Sequence, residues 1–221
     1  MEKALIIGAS GGIGDALVAV LKARGVAVTG LSRRDDGLDV TDEDSVAACL
    51  GGLEPGFDLI LVATGALVID GAEPEKTIRR VTAKAMADQF ALNCIGPSLV
   101  LKHSLRLLPR DRRAVFAALS ARVGSIGDNA LGGWYSYRTA KAALNQMIHT
   151  GAIELARSHR HALCVALHPG TVATRFTADY AATHDRVAPE QAASNLLGVI
   201  DRLTPDETGG FFDWQGKRVV W

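Results

Sequence analysis

The sequence predicts an α/β protein in which helices cover both faces of a parallel sheet. Short runs rich in β-branched residues alternate with longer helical patterns along all 221 residues. The strand-like runs are continuously apolar, which is typical of strands buried on both faces. No Pro- or Ser-rich linker and no repeat interrupts this alternation. We therefore expect one domain over residues 1–221 and a doubly wound, seven-stranded parallel sheet in the order 3-2-1-4-5-6-7.

Each predicted element follows from the spacing of its apolar residues. The first helix, for example, has Ile13, Leu17 and Leu21 on one face. The predicted strands cover residues 3–9, 26–31, 38–40, 57–63, 113–119, 162–167 and 210–213. The predicted helices cover residues 12–24, 42–50, 84–108, 136–158 and 189–203.

Charge and cysteine content narrow the classes of function. Basic and acidic residues number 24 each, so no chain-wide basic field favours nucleic acid or an anionic membrane. Cys49, Cys94 and Cys164 lie far apart and show no spacing typical of a metal site. The apolar start of the chain is too short for a signal peptide, and the longest apolar stretch, 59–69, is too short for a membrane span. We expect a cytoplasmic protein without a bound metal, nucleic acid or membrane.

A glycine-rich turn joins the first predicted strand to the first helix. Residues without Cβ let backbone N–H groups approach a pyrophosphate, which is also favoured at a helix N-terminus. The alternative is a simple tight turn, since the Gly-x3-Gly-x-Gly spacing differs from the GxGxxG fingerprint. The candidate cofactor-binding residues in this turn are Gly8, Ser10, Gly11, Gly12, Ile13 and Gly14.

Tyr137 and Lys141 form the most specific motif of the chain. Residues four apart share one face of a helix, so the phenol and the ammonium lie one turn apart. We expect the ammonium to lower the pKa of the phenol, which would suit general acid–base catalysis. The alternative is an ordinary helix face, because Tyr-x3-Lys also arises by chance. Tyr135 points elsewhere on the helix and is the weaker candidate.

The glycine spacing and the Tyr-x3-Lys pair together resemble the short-chain dehydrogenase/reductase family, whose turn has the pattern TGxxxGxG. Ile7 stands where that family usually has Thr. The segments LGGWYSYRTAK and GGFFDWQGK resemble its small bacterial branch, related to C-factor signalling proteins and carbonyl reductases. The resemblance covers nearly the whole chain. It implies a single-domain Rossmann fold and NAD(P)-dependent hydride transfer to or from a carbonyl or alcohol.

The resemblance also implies roles for residues outside these two motifs. Asn93 is similar to the family's helix-bending asparagine, which holds a water that carries protons to the lysine; alternatively it ends a helical turn before Gly96-Pro97. Lys141 would also hold the nicotinamide ribose, beside Tyr137. The other implied cofactor contacts are Asp39, Val40, Ala63, Thr64, Gly65, Pro169, Gly170, Val172 and Thr174.

The residues after the second predicted strand bear on the choice of nicotinamide cofactor. An acidic residue there accepts the ribose hydroxyls of NAD, whereas a cation pairs with the 2′-phosphate of NADP. Ser32 and Arg33 stand at this place, and the guanidinium fits a phosphate with two hydrogen bonds. We therefore predict a preference for NADP(H). NAD(H) stays possible, because Asp35 and Asp36 follow and could neutralise the arginine or bind the ribose.

The family's active-site serine has no direct counterpart in this sequence. The resemblance implies a serine after the fifth strand that bonds the substrate oxygen, but alignment puts Ala121 at that position. We predict Ser120, one position earlier, as the catalytic serine, with Ser125 as the alternative; either could instead be a turn residue. We interpret His168 as structural, because Tyr137 is available for proton transfer.

The surroundings of the substrate and the oligomeric state can be predicted in outline. Residues 175–188, with Phe176 and Tyr180, would line the substrate pocket. Trp214 and Trp221 at the C-terminus favour a subunit contact in a homodimer or homotetramer.

Two other functions compete with the oxidoreductase. The first is an NADP(H)-binding sensor with little turnover. The second is a methyltransferase on a related fold, which would explain the glycine turn but none of the later motifs.

Overall fold

A six-stranded parallel sheet forms the centre of the protein, whose computed structural model describes residues 1–174 and 186–221. Neighbouring strands follow the order β2-β1-β3-β4-β5-β6, and each pair is parallel. The strands are β1 (Lys3–Ile7), β2 (Ala27–Leu31), β3 (Leu59–Val62), β4 (Ala114–Leu119), β5 (Ala162–His168) and β6 (Phe211–Asp213).

Helices connect the strands and cover both sides of the sheet. They are α1 (Gly12–Ala23), α2 (Arg33–Asp36), α3 (Glu43–Gly51), α4 (Ala83–Phe90), α5 (Gly96–Ser104), α6 (Tyr135–Ser158) and α7 (Pro189–Arg202). A π-helical turn, Ala91–Ile95, joins α4 to α5. In the described part of the chain, no helix combines the length and apolar character needed to cross a bilayer.

The two faces of the sheet have separate apolar cores, because successive side chains of a strand point to opposite faces. In β1, Leu5 and Ile7 pack into the core that includes residues of α3, α5 and α6. Ala4 and Ile6 pack into the core that includes residues of α1 and α7. This arrangement explains why the strands read as continuous apolar runs rather than as alternating patterns.

The predicted fold class is confirmed, but the prediction of a strand at residues 38–40 is wrong. The observed strand order is the predicted one with this strand removed, which leaves six strands in the described residues. Leu38 and Val40 are buried in the core, so the alternating pattern correctly indicates which side chains point inward. Asp39 between them accepts a hydrogen bond from the backbone N–H of Thr41 and makes a turn instead of pairing with a strand.

Helix α2 occupies the connection after β2, which none of the helices predicted from the sequence covers. Ser32 precedes the helix, and its Oγ accepts a hydrogen bond from the N–H of Asp35. Gly37 ends the helix with a φ of 72°, a conformation that glycine adopts at little cost. The connection is therefore one helical turn that holds Ser32 and Arg33 at the carboxyl end of β2.

Candidate active site

The glycine turn between β1 and α1 is built on close backbone contacts. Gly8 has a φ of 87°, and its carbonyl accepts a hydrogen bond from the N–H of Gly11 at 3.0 Å. A Cβ on Gly14 would lie 2.1 Å from the carbonyl oxygen of Gly8, so α1 can start this close to the turn only with glycine there. The turn leaves the N-terminus of α1 beside the carboxyl end of β1, where an anion is stabilised.

The segment after β5 meets this turn from the opposite side. A Cβ on Gly12 would lie 2.6 Å from Cγ2 of Thr174, which shows that the two segments are in contact. Gly170 has a φ of 78°, and the Trp214 ring lies against its α-carbon. Pro169 precedes this glycine, and Val172 is buried. The structure therefore brings the predicted segment 169–174 to the glycine turn.

At the end of β2, the cationic and acidic side chains are mostly paired with one another. Arg34 bonds both carboxylate oxygens of Asp35, at 2.8 and 3.0 Å. The backbone N–H of Ser32 donates to Asp36 at 2.8 Å. Arg33 is 80% exposed and lies 4.0 Å from Asp39, so its guanidinium is open to a ligand. The aspartates thus bind local partners, and Arg33 keeps its donors accessible.

A second glycine-containing turn follows β3, at Ala63, Thr64 and Gly65. The N–H of Ala63 continues the sheet by bonding the carbonyl of Ile7 at 2.8 Å. Oγ1 of Thr64 is buried and has no hydrogen-bond partner among the described residues. A Cβ on Gly8 would lie 3.1 Å from Cγ2 of Thr64, so the methyl group of this side chain borders the glycine turn. A buried hydroxyl without a partner is unfavourable unless a ligand or water completes it.

Asn93 lies in the π-helical turn, so the single helix predicted over 84–108 is in fact interrupted. Gly96 donates to the carbonyl of Ala91, five residues earlier, rather than to the residue four earlier. Pro97 lacks the N–H that an α-helix would direct at the carbonyl of Asn93. The π-helical turn includes the asparagine that the sequence singles out, and Gly96 lets Val40 pack closely against the chain.

The side chain of Asn93 is held by neighbours on two sides. Its Nδ2 donates to the carbonyl of Ala66 at 2.9 Å and to Oε1 of Gln89 at 2.6 Å. Gln89 in turn donates to the carbonyl of Leu67 at 2.9 Å. A Cβ on Gly65 would lie 2.8 Å from Oδ1 of Asn93, which shows how closely the loop approaches. The Asn93–Gln89 pair therefore fixes the loop after β3 over the π-helical turn.

Tyr137 and Lys141 lie on the inward face of α6, one turn apart. Both side chains are buried, and Nζ of Lys141 lies 5.9 Å from the centre of the Tyr137 ring. Nζ also donates to the carbonyl of Leu119, at the end of β4, over 2.9 Å. A Cβ on Gly65 would lie 3.5 Å from Nζ. Lys141, of the pair predicted from the sequence, thus lies beside Gly65, which is also in contact with Asn93.

Burial dominates the electrostatics of this pair. It raises the pKa of Tyr137 well above the ordinary value of 10, opposite to the lowering expected from the sequence. Burial also lowers the pKa of Lys141 to about 8, and the electrostatic influence of the nearby Cys94 side chain offsets this only in part. The phenol is therefore held in its protonated form, which can act as an acid.

The hydroxyls of Ser120 and Ser125 are engaged within the protein. Oγ of Ser120 donates to Oδ1 of Asn145 at 2.6 Å, and both residues are buried. Oγ of Ser125 accepts from the N–H of Asp128 at 3.0 Å, and Ser125 is buried as well. Ser120 directly follows Leu119, whose carbonyl accepts the hydrogen bond from Lys141, but the Ser120 hydroxyl is directed to Asn145 of α6.

His168 ends β5 near an ion pair. Its Nδ1 is buried without a partner among the described residues, and burial with the nearby Arg122 lowers its pKa to about 4. Arg122 bonds Asp213 at 2.9 Å and thereby connects the turn after β4 to the end of β6. A histidine with this pKa is neutral at pH 7.

The N-terminus of α6 is held by a loop residue that the sequence did not indicate. Glu75 is buried, and its carboxylate accepts hydrogen bonds from the backbone N–H and the hydroxyl of Ser136. A carboxylate is favoured at a helix N-terminus. Trp134, directly before the helix, has a φ of 52° and contacts the Tyr137 ring edge-on. These contacts fix the start of the helix that carries Tyr137.

Two of the three supporting polar residues could have been found from spacing. Gln89 lies four residues before Asn93, and Asn145 lies four after Lys141, so each shares a helix face with a predicted site residue. Glu75 is in a loop and has no such signal. The predicted pocket residues Phe176 and Tyr180 lie outside the described residues.

Comparisons of the sequence with known proteins show which proteins it resembles. Residues 8–211 match the family model described as enoyl-(acyl carrier protein) reductase. The chain is similar to a 1-hydroxy-2-glutathionyl-2-methyl-3-butene dehydrogenase of Rhodococcus sp. (strain AD45), with 33% identity over 239 residues and 100% of both chains covered. It is also similar to C-signal of Myxococcus xanthus, at 35% identity over 136 residues, which cover 62% of this chain and 78% of that protein.

Solved structures show the same arrangement of elements. The NADPH-bound carbonyl reductase from chicken fatty liver superposes with a TM-score of 0.84 at 25% identity, covering 100% of this chain and 99% of that one. Carbonyl reductase Sniffer of D. melanogaster superposes with a TM-score of 0.81 at 22% identity over both full chains, which supports the fold alone.

Proposed function

The chain belongs to the short-chain dehydrogenase/reductase family of oxidoreductases, and from that premise we propose that it transfers hydride between NADP(H) and a carbonyl or alcohol substrate. One observation carries the proposal. Tyr137 and Lys141 are buried one turn apart on α6, at the edge of the sheet where the glycine turn ends. A phenol and an amine in this arrangement can pass a proton to or from a substrate oxygen.

The described residues fit a dinucleotide cofactor. The close backbone of the glycine turn and the N-terminus of α1 suit a pyrophosphate. Oγ1 of Thr64, which has no hydrogen-bond partner among the described residues, would offer the cofactor a further hydrogen bond. Arg33 would bind the 2′-phosphate of NADP, and its exposure favours NADP over NAD, since Asp35 and Asp36 are engaged by Arg34 and Ser32. The carbonyl reductase from chicken fatty liver, which resembles this chain, contains NADPH.

In the proposed reduction, the chain's own residues supply and guide the proton. When bound, NADPH supplies the hydride that adds to the carbonyl carbon. Tyr137, kept protonated by burial, donates its proton to the carbonyl oxygen as that oxygen gains negative charge. Lys141 would hold the nicotinamide ribose and pass a replacement proton to the phenol. Asn93, whose carbonyl lacks a donor from Pro97, would hold the water that recharges the lysine.

The test is oxidation of NADPH and NADH against a panel of aldehydes, ketones and quinones. We expect turnover with NADPH and a loss of about 10²- to 10⁴-fold in kcat for Tyr137→Phe. Tyr135→Phe is the matched control, because it removes a phenol two residues away on another side of α6. Equal loss in both variants would contradict the assignment of Tyr137. Binding of NADPH with no turnover on any substrate would favour the sensor instead.

A further inference from the structure

A buried polar link connects the end of β4 to α6. Ser120 donates from Oγ to Oδ1 of Asn145 at 2.6 Å. Asn145 then donates from Nδ2 to the carbonyl of Gly124 at 3.3 Å. Ser120 is 4% exposed and Asn145 2%, so the Ser120 hydroxyl and Oδ1 of Asn145 satisfy each other away from water. The Ser120 hydroxyl, which the sequence predicted to face the substrate, is used inside the protein.

The same link borders the backbone that carries Lys141. A Cβ on Gly124 would lie 2.8 Å from Cβ of Lys141 and 2.9 Å from its carbonyl carbon. The turn Arg122–Gly124 therefore touches α6 directly, one helical turn before Asn145. The Lys141 side chain also contacts the chain just before this turn, because Nζ donates to the carbonyl of Leu119. Small movements of the turn would change where Nζ lies.

We propose that Ser120 and Asn145 are positioning residues, which hold the turn Arg122–Gly124 against α6 and thereby keep Lys141 in place. The inference rests on the proposed function, because it takes Lys141 as a member of the proton relay. The link does not use the ammonium group. It therefore persists when Nζ exchanges the carbonyl of Leu119 for another acceptor.

The alternative role for Ser120 is direct donation to the substrate oxygen, and the two roles predict different effects of removing Asn145. A positioning Ser120 acts through Asn145, so the effects of Ser120→Ala and Asn145→Ala overlap. A substrate-binding Ser120 acts without Asn145, so the two effects multiply. Ser104→Ala is the matched control, because Ser104 is a buried serine of α5 that bonds the carbonyl of Leu101.

The first measurement is the pKa of Lys141 by NMR of protein labelled with ¹³C at lysine Cε, with the Lys141 signal identified by Lys141→Met. It needs neither cofactor nor turnover. Loosening the turn admits water, so we expect the pKa of Lys141 to rise by about half a unit or more in Ser120→Ala and Asn145→Ala. Tyr137 and Cys94 are nearby titrating groups, and both are retained in all these variants. The Ser104→Ala control should leave the Lys141 signal unchanged.

The second measurement is kcat and KM on the carbonyl substrate found in the panel. We expect each single variant to lose about tenfold in kcat, and the double variant to lose no more than Asn145→Ala alone. Multiplying losses in kcat with an unchanged Lys141 pKa would overturn the positioning role. If the unmodified protein shows no turnover, the proposed function fails, whereas the NMR result still decides whether Ser120 and Asn145 position Lys141.

Discussion

Replacing Lys141 by methionine tests the electrostatics of the site through protein stability. The pKa of Lys141 falls from 10.5 to about 8 because its amine is buried. At pH 7 both the folded and the unfolded chain hold the proton, so the folded state bears the full penalty of a buried ammonium. Between pH 8 and 10.5 the unfolded chain keeps the proton and the folded chain releases it. Rising pH therefore stabilises the folded protein relative to Lys141→Met.

The size of this change in stability follows from the pKa shift of Lys141. A lowering of about 2.5 units corresponds to roughly 3 kcal/mol at about 1.36 kcal/mol per unit. Most of this, about 2 to 3 kcal/mol, is recovered by pH 10. The hydrogen bond from Nζ to the carbonyl of Leu119 is lost in the methionine variant, which adds an offset of about 1 kcal/mol in the other direction. That offset is treated as the same at every pH, so the pH dependence comes from the pKa shift of Lys141.

Urea unfolding at pH 7, 8, 9 and 10 measures the difference in unfolding free energy between the two proteins. We expect the unfolding free energy of Lys141→Met, taken relative to that of the unmodified protein, to fall by about 2 to 3 kcal/mol from pH 7 to pH 10. Activity should be lost in the variant at every pH. The same substitution at the exposed Lys76 controls for replacing a lysine by methionine. A difference that stays constant with pH would refute the claim that Lys141 is desolvated.

Three further predictions concern the cofactor and the assembly. Arg33→Ala should raise KM for NADPH about tenfold or more and that for NADH far less, because one charge-assisted contact is removed; equal changes would rule out the phosphate contact. Gly14→Ala should abolish NADPH binding, measured by fluorescence titration, and lower the unfolding free energy by about 1–3 kcal/mol, measured by calorimetry. Gly51→Ala is the control, because a Cβ there meets nothing within 4 Å, and it should change neither quantity. Light scattering should give a dimer or tetramer, because Trp214 and Trp221 are 38% and 43% exposed at the C-terminus; a monomer mass would contradict this.

The error at residues 38–40 shows where sequence reasoning fails. Leu38 and Val40 alternate with a polar residue as a strand would, and both are buried. Burial alone does not make a strand, because a strand also needs a partner with free backbone groups. Asp39 instead bonds the N–H of Thr41 and turns the chain. Local alternation indicates which side chains are buried but not what the backbone pairs with.

The sequence by itself determined the strand order apart from this segment, the glycine turn, and the spacing of Tyr137 and Lys141. These features depend on short-range periodicity, on the right-handed crossovers of parallel sheets and on backbone geometry that only glycine permits. The tertiary structure alone decided which way the Ser120 hydroxyl points and that burial raises the pKa of Tyr137. It also decided that Glu75 holds the start of α6. Each of these depends on packing between residues distant in the chain, and no local pattern encodes which groups exclude water from one another.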